Sequence, residues 1–227
     1  MSWRVALIDS CGRWPGALDS ASFTSASGRI ECGPPGADPT GHGSLIAQLL
    51  SSGGQPPELL LAQVFRSATP TSAAAVAAAI DWAVLRGANL VHLSLGLGDD
   101  RAILKSSISR ALAAKILVVA STPARGKPVY PASYEGVVRA TGDARCAPGE
   151  IACLGTRFFG GCSSIAAEHG SNDREGAPRA LRGASAGAAW VSKALTLLVA
   201  DHDAALAALT ANARFVGAER RGMECRI

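Results

Sequence analysis

Short apolar runs alternate along this chain with longer segments in which apolar residues recur at helical spacing. The apolar runs predict strands at residues 5–8, 59–65, 90–93, 116–120 and 137–141. The longer segments predict helices at residues 43–50, 72–86, 102–114 and 186–200. Because strands that alternate with helices of these lengths form parallel sheets, the pattern predicts an α/β fold with a mostly parallel central sheet and helices on both faces.

The breaks between these elements are rich in glycine and proline. They lie at residues 33–40, 53–57 and 124–131, and they indicate loops within one domain rather than linkers. A chain of 227 residues with 48% hydrophobic content can bury one full core, so we expect a single domain over residues 1–227. We also expect no signal peptide and no pro-region, because the first predicted strand begins at Val5.

Three polar residues stand at the ends of predicted elements. Asp9 follows the first apolar run, at the strand end where open α/β sheets place ligands. His42 lies between two glycines at the start of a helix, and Ser185 lies among small residues at the start of another. Taken singly, each has an ordinary explanation as a strand-end acid, a loop histidine or a serine N-cap. Together, in the order Asp, His, Ser, they are the parts of a catalytic triad.

The triad hypothesis gives each residue a separate role. Asp9 accepts a hydrogen bond from the His42 ring, and His42 removes the proton of the Ser185 hydroxyl as that oxygen attacks a peptide carbonyl. The position of Ser185 at a helix N-terminus places its backbone N–H where it stabilises a developing oxyanion. The chemistry that this arrangement predicts is acyl transfer.

Charge and hydropathy exclude several other classes of function. The formal net charge is +4 and the pI about 8.9, but the arginines are spread along the chain without a basic stripe interleaved with aromatics. We therefore expect no binding of nucleic acid. No uninterrupted apolar run approaches the roughly 18 residues of a membrane span, so we expect no membrane association and a cytoplasmic protein.

The six cysteines are Cys11, Cys32, Cys146, Cys153, Cys162 and Cys225. Their spacing contains no Cys-x-x-Cys pair and no zinc-type cluster, so we expect no metal and no cofactor. An even number would permit three disulfides in a secreted protein, whereas free thiols are the expectation in the cytoplasm.

Several segments resemble the subtilisin-like serine peptidases. They surround the three triad candidates and include a helix and a strand between them: Val5-Ala6-Leu7-Ile8-Asp9-Ser10, His42-Gly43-Ser44-Leu45-Ile46-Ala47, Ala77-Ala78, Ile80-Asp81-Trp82-Ala83, Val91-His92-Leu93-Ser94-Leu95-Gly96 and Gly183-Ala184-Ser185-Ala186. A turn at Ala147-Pro148-Gly149, a tail helix at residues 204–214 and a closing strand at residues 222–227 fit the same resemblance. It implies a subtilisin-like three-layer fold and a serine endopeptidase whose extended substrate pairs with Leu93, Ser94, Leu95 and Gly96.

One departure from that family concerns the oxyanion hole. Family members supply an Asn side chain after an Ala-Ala-Gly run, whereas residues 118–124 of this chain contain no Asn. Removing one such donor costs about 10²- to 10³-fold in rate. The alternatives are a hydroxyl from Ser121 or Thr122, a second backbone N–H beside that of Ser185, a slow enzyme, or a moving loop that brings Asn172 to the site. A calcium site is not expected after His42, where oxygen ligands are lacking.

A cytoplasmic protease without a pro-region must avoid digesting its host, so we expect a narrow-specificity enzyme that removes a leader peptide from one partner protein. Among such enzymes the chain resembles the small subtilisin-like proteases that mature quinohaemoprotein amine dehydrogenase, which makes the small subunit of that enzyme a candidate partner. The first alternative is a weak or inactive pseudo-protease that binds peptides. The second is a regulatory α/β domain modified at Asp9, which leaves the His42 and Ser185 segments unexplained.

Overall fold

The computed structural model describes residues 2–26, 28–66, 71–166, 180–198 and 202–218, and its central layer is a ten-stranded sheet. The strands in the described residues are β1 (Arg4–Asp9), β2 (Asp19–Ala26), β3 (Arg29–Gly33), β4 (Glu58–Gln63), β5 (Leu90–Leu93), β6 (Leu117–Ser121), β7 (Val138–Asp143), β8 (Ile151–Gly155), β9 (Phe158–Cys162), β10 (Ser164–Ala166), β11 (Ala180–Arg182) and β12 (Phe215–Val216). The helices are α1 (His42–Ser51), α2 (Ala73–Leu85), α3 (Ala102–Ala113), α4 (Ala184–Thr196) and α5 (His202–Ala211).

The large sheet has the strand order β12-β8-β9-β7-β6-β5-β1-β4-β2-β3. Its neighbours pair in parallel, except that β2 with β3 and β8 with β9 are antiparallel. Strands β10 and β11 form a separate antiparallel pair. The predicted mostly parallel α/β sheet is therefore confirmed.

Helices cover both faces of the sheet, as β1 illustrates. Ala6 and Ile8 belong to an apolar cluster with residues of α2 and α3, whereas Val5 and Leu7 belong to a second cluster with residues of α1, α4 and α5. Because both faces of the central strands are buried, these strands are apolar on both sides, which explains the uninterrupted apolar runs in the sequence.

The predicted elements match the larger observed ones. The five predicted strands correspond to β1, β4, β5, β6 and β7, the four predicted helices to α1–α4, and the tail helix to α5, which begins at His202. The helix predicted to end at residue 200 ends at Thr196. Strands β2, β3 and β8–β12 were not predicted. The closing strand predicted at residues 222–227 lies outside the described residues.

The fold brings the ends of several elements to one edge of the sheet. Asp9 and Leu93 are the last residues of the neighbouring strands β1 and β5. The first turn of α4 reaches the same edge, where Ser185 contacts Ser94. Within the described part of the chain, no helix combines the length and apolar character that a membrane crossing requires.

Candidate active site

The structure brings Asp9 and His42 into direct contact. Asp9 is 1% exposed at the end of β1, and its Oδ1 lies 2.8 Å from Nδ1 of His42, the first residue of α1. A carboxylate can only accept here, so we place the ring proton on Nδ1. That tautomer leaves Nε2 of His42 with a free lone pair, as a general base requires.

Ser10 holds the Asp9 carboxylate in place. Its backbone N–H and its hydroxyl both donate to Asp9 Oδ1, at 2.7 and 3.1 Å, and its Oγ accepts from the backbone N–H of Gly43 at 2.9 Å. Asp9 Oδ2 is buried and has no hydrogen-bond partner among the described residues. All the bonds to this carboxylate therefore fall on the oxygen that contacts His42.

A second carboxylate, Asp38, organises the start of α1. Gly41 precedes the helix with a φ of 71°, and its N–H donates to Asp38 Oδ1 at 2.8 Å. The backbone N–H and the hydroxyl of Ser44 donate to Asp38 Oδ2 at 2.9 and 2.7 Å. Asp38 thereby satisfies N–H groups of the first turn that have no acceptor within the helix.

Gly43 is required by close packing. A Cβ atom added at Gly43 would lie 2.4 Å from the backbone nitrogen of Cys11 and 3.0 Å from Asp9 Oδ1. Any side chain there would push α1 away from the end of β1. The absent side chain is therefore what allows the ring of His42 to reach Asp9.

The surrounding charges favour the protonated form of His42. Burial lowers the pKa of His42, but the hydrogen bond and charge of Asp9 and the charge of Asp38 raise it by more, so the net pKa lies above its ordinary value. Burial also raises the pKa of Asp38, but the hydrogen bonds from Ser44 and Thr40 lower it by more, which keeps Asp38 ionised. The negative charges of Asp9 and Asp38 stabilise the imidazolium.

The buried Cys11 thiol, which accepts a hydrogen bond from the Ser44 hydroxyl, is held in its protonated form. Burial raises its pKa to about 11, so it is protonated at neutral pH. The cysteines in the described residues are free thiols, and Cys225 lies outside them. Across the same described residues, no three His, Cys, Asp or Glu side chains converge where they could hold a metal ion.

Ser185 lies in the first turn of α4, after Gly183. Its hydroxyl donates to the backbone oxygen of Ser94 over 3.5 Å, a long bond, and within the described residues it forms no hydrogen bond with His42. The N–H of Ser185 has no acceptor among the described residues, because the first bond within the helix runs from Gly187 N to Gly183 O. This N–H is free to act as an oxyanion donor.

The structure does not bring the other predicted oxyanion residues into a hydrogen bond with Ser185. Ser121 ends β6 and is 7% exposed, while Thr122 uses its N–H on Ala140 O and its hydroxyl on Pro123 O. Asn172 lies outside the described residues. A second oxyanion donor therefore stays a prediction.

The segment predicted to bind substrate, residues 93–96, continues β5 past its last residue. Leu95 is buried and Gly96 is exposed, and neither forms a backbone hydrogen bond with any other described residue. Beyond them, Leu97 and Tyr130 exchange two backbone hydrogen bonds of 2.8 and 2.9 Å. The backbone N–H and C=O groups of Leu95 and Gly96, which have no partner among the described residues, suit an added peptide strand.

Comparisons with known proteins bear on the fold. No family model matches the chain. The prenylagaramide maturation protease PagA superposes with a TM-score of 0.59 at 20% identity, covering 86% of this chain and 74% of PagA. The S218A mutant of the protease domain of PatA gives 0.58 and 20%, covering 86% of this chain and 78% of that domain. The fold is subtilisin-like.

A sequence comparison points the same way over a short stretch. The minor extracellular protease Epr of Bacillus subtilis (strain 168) is 39% identical over 62 residues, which are 26% of this chain and 10% of Epr. None of the three proteins, Epr, PagA and PatA, is named for quinohaemoprotein amine dehydrogenase. That specific link receives no support from the comparisons.

Two supporting residues of the candidate site, Asp38 and Gln63, were missed in the sequence. The amide of Gln63 donates to Ser10 O at 2.8 Å and to Ala37 O at 3.0 Å, and it accepts from Gly36 N at 2.8 Å. Gln63 thus joins the strand end that carries the Asp9–Ser10 pair to the loop that carries Asp38. An amide inside an apolar run and an acid just before a helix start were the available signals.

Proposed function

We propose that this chain is a serine endopeptidase in which Asp9, His42 and Ser185 act as the triad. The observation that carries the proposal is the 2.8 Å hydrogen bond between buried Asp9 and His42 at one edge of a subtilisin-like fold, with Ser185 at a helix start on the same edge. The similarity to three proteases, PagA, PatA and Epr, supports a hydrolase of this class.

The proposed reaction begins with Ser185. As its Oγ forms a bond to the peptide carbonyl carbon, His42 Nε2 takes the hydroxyl proton and the carbonyl oxygen becomes an oxyanion near the Ser185 N–H. His42 then gives that proton to the leaving amine, and the C–N bond breaks to leave an acyl-enzyme. Water repeats the two steps and frees the acid. Asp9 orients the ring and stabilises its charge throughout.

We propose further that the enzyme processes a narrow range of substrates. The Ser185 hydroxyl donates to Ser94 O rather than to His42. Among the described residues, no Asn side chain has been identified as an oxyanion donor, and the lack of such a donor lowers the rate by about 10²- to 10³-fold. A low resting rate suits an enzyme that removes a leader from one polypeptide partner in the cytoplasm. The name of the maturation protease PagA fits this class, and the quinohaemoprotein amine dehydrogenase small subunit stays one candidate partner among others.

A peptide-binding pseudo-protease is the second candidate function. The same long bond from Ser185 to Ser94 and the same incomplete oxyanion hole favour it. It differs from the enzyme in one measurable respect, which is whether the Ser185 hydroxyl reacts.

Intact-mass analysis after treatment with a fluorophosphonate separates the two. The native chain and a Ser109→Ala control, which removes an exposed hydroxyl on α3, are expected to gain one adduct each, and Ser185→Ala is expected to gain none. No adduct on the native chain would favour the pseudo-protease. Equal cleavage of an unrelated unfolded protein and of a leader-bearing precursor would overturn the narrow specificity but not the triad.

A further inference from the structure

A histidine occupies a core position directly below the helix that carries Ser185. His92 is the third residue of β5 and is fully buried. Its neighbours across the sheet are Leu7 of β1 and Val119 of β6, which both belong to the apolar cluster under α1 and α4. An imidazole at an apolar position must be hydrogen-bonded to be tolerated, so its partners are informative.

Both ring nitrogens of His92 have serine partners. Nδ1 lies 2.8 Å from Ser192 Oγ on α4, and Nε2 lies 2.7 Å from Ser94 Oγ just beyond β5. Burial is the main cause that lowers the pKa of His92, to about 4; the charge of Asp9 opposes this shift and that of His42 adds to it. The ring is therefore neutral at pH 7, so one nitrogen donates and the other accepts.

These contacts close a ring that includes the proposed nucleophile. Ser192 and Ser185 lie about two turns apart on α4, since an α-helix has roughly 3.6 residues per turn. From Ser192 the path runs through His92 to the side chain of Ser94, and the backbone oxygen of Ser94 accepts the Ser185 hydroxyl at 3.5 Å. That bond is the contact in the described residues that orients the Ser185 hydroxyl.

We propose that His92 is a positioning residue for Ser185. His92 is held by its hydrogen bond to Ser192, and it in turn fixes the Ser94 side chain by a second hydrogen bond. Fixing Ser94 also fixes its backbone oxygen, to which the Ser185 hydroxyl donates. The proposal rests on the proposed peptidase function, because it concerns the reactivity of Ser185. His92 itself touches neither substrate nor the reacting atoms.

Two substitutions, His92→Asn and His92→Gln, distinguish a role of His92 in positioning Ser185 from a role in core packing alone. The amide of Asn reaches the place of Nδ1, and the amide of Gln reaches the place of Nε2. If His92 only fills the core, each amide changes the melting temperature according to its volume, but the reactivity of Ser185 does not depend on which amide is present. If the link to Ser94 positions Ser185, His92→Gln keeps most of the reactivity and His92→Asn does not, and Ser94→Ala behaves like His92→Asn.

The measurement is the rate constant of fluorophosphonate labelling at saturating reagent, with the melting temperature of each variant recorded alongside. We expect His92→Asn to label about 10- to 100-fold more slowly than the native chain, the scale of an ångström-level misplacement, and His92→Gln to stay within a few-fold. Ser107→Ala is the matched control, because it removes a buried hydroxyl bonded to Asp81 on the opposite face. It is expected to lower the melting temperature and leave the labelling rate unchanged.

The dependence of the labelling rate on pH gives a second measurement. Its plateau and midpoint are not expected to change when a variant only lowers the melting temperature. Since His92 is neutral, its variants are expected to lower the plateau of the labelling rate without moving the midpoint set by His42. Equal rates for His92→Asn and His92→Gln, or a shifted midpoint at an unchanged plateau, would overturn the inference while leaving the triad intact. A native chain that is not labelled would overturn the proposed function and this inference with it.

Discussion

The two halves of the candidate site are built very differently. In the half that carries His42, three hydrogen bonds converge on one oxygen of Asp9, and Asp38 and Ser10 satisfy the first turn of α1. In the half that carries Ser185, the hydroxyl makes a single bond of 3.5 Å within the described residues, and that bond does not involve His42.

From this difference we infer which half limits the proposed activity. The half that carries His42, the proposed acid–base half, already has its hydrogen bonds in place without a substrate. In the half that carries the proposed nucleophile, the Ser185 hydroxyl donates a hydrogen bond to the backbone oxygen of Ser94. The proposed oxyanion donor in this half is the Ser185 N–H. Electrostatic stabilisation of the oxyanion is usually a large part of catalysis. We therefore infer that the rate depends on whether substrate binding reorients the Ser185 hydroxyl and completes the oxyanion hole.

The largest expected effect comes from breaking the organised half at its centre. Asp9→Asn replaces an acceptor with an amide that can favour the wrong tautomer of His42, and in triads of this kind the loss in kcat is on the order of 10⁴-fold. Fluorophosphonate labelling of the purified variant measures it. Asp19→Asn, which alters an exposed ion pair with Arg86, is the control. A loss under about tenfold would mean that His42 is oriented without Asp9.

The next effect tests whether the halves also differ in packing. A Cβ at Gly187 would lie 2.0 Å from Thr141 O, and one at Gly43 would lie 2.4 Å from Cys11 N. Both Gly187→Ala and Gly43→Ala are expected to cost about 1–3 kcal/mol or more of unfolding free energy, at roughly 2–4 °C of melting temperature per kcal/mol. Gly98→Ala, with open space around it, serves as the control.

Equal losses at Gly43 and Gly187 would show that both helices are locked against the sheet to the same degree. The contrast between the halves would then lie in hydrogen bonding alone. An unchanged melting temperature for either variant would contradict the close approach of that helix to its strand.

The sequence predicted the parts of the site that depend on local pattern. An apolar run that ends at Asp9 and a Gly-flanked helix start at His42 are local features, and the subtilisin-like fold brings them together at 2.8 Å. The central strands were predictable for the same reason, because burial on both faces makes them continuously apolar.

The rest depends on contacts between residues distant in sequence. Strands β2 and β3 form an edge hairpin that is partly exposed, so its residues (Asp19–Ala26 and Arg29–Gly33) show little apolar alternation. The roles of Gln63 and His92 arise from partners 53 and 100 positions away, and no periodicity marks them. A polar residue within an apolar strand is the one local sign that both share.

A smaller effect is expected on pH dependence when the charge beside His42 is removed. Asp38→Asn keeps one acceptor for the helix start but deletes a charge that raises the pKa of His42. Since His42 must be unprotonated to take the Ser185 proton, a lower pKa lets activity persist to lower pH. The acid limb of the labelling profile should therefore move to lower pH, with a stability loss of about 1 kcal/mol from the weakened cap.

Asp99→Asn tests whether any lost negative charge has this effect, since Asp99 pairs with Arg101 in an exposed ion pair. It should leave the acid limb in place. A limb that moves to higher pH in Asp38→Asn would contradict the assignment of the base to His42 beside this carboxylate.

The smallest effect is expected at the far ends of the two helices. Lys193 of α4 donates from Nζ to Leu50 O at 3.0 Å and to Ser52 O, and so joins α4 to the last turn of α1. Burial lowers the pKa of this amine, so the bonds are partly offset by the cost of burying a charge. Lys193→Met keeps the aliphatic packing and is expected to lose about 1–2 kcal/mol in denaturant unfolding.

His42 and Ser185 lie at the starts of α1 and α4, whereas the Lys193 contact joins the other ends of these helices. Labelling of Lys193→Met should therefore stay within about threefold of the native rate, well short of the 10²-fold that misplacement of a catalytic group costs. A labelling loss above tenfold at an unchanged unfolding midpoint would reverse this expectation. The contact between the ends of α1 and α4, rather than the sheet edge, would then set the alignment of His42 and Ser185. The small number of hydrogen bonds at Ser185 would then result from where α4 is placed.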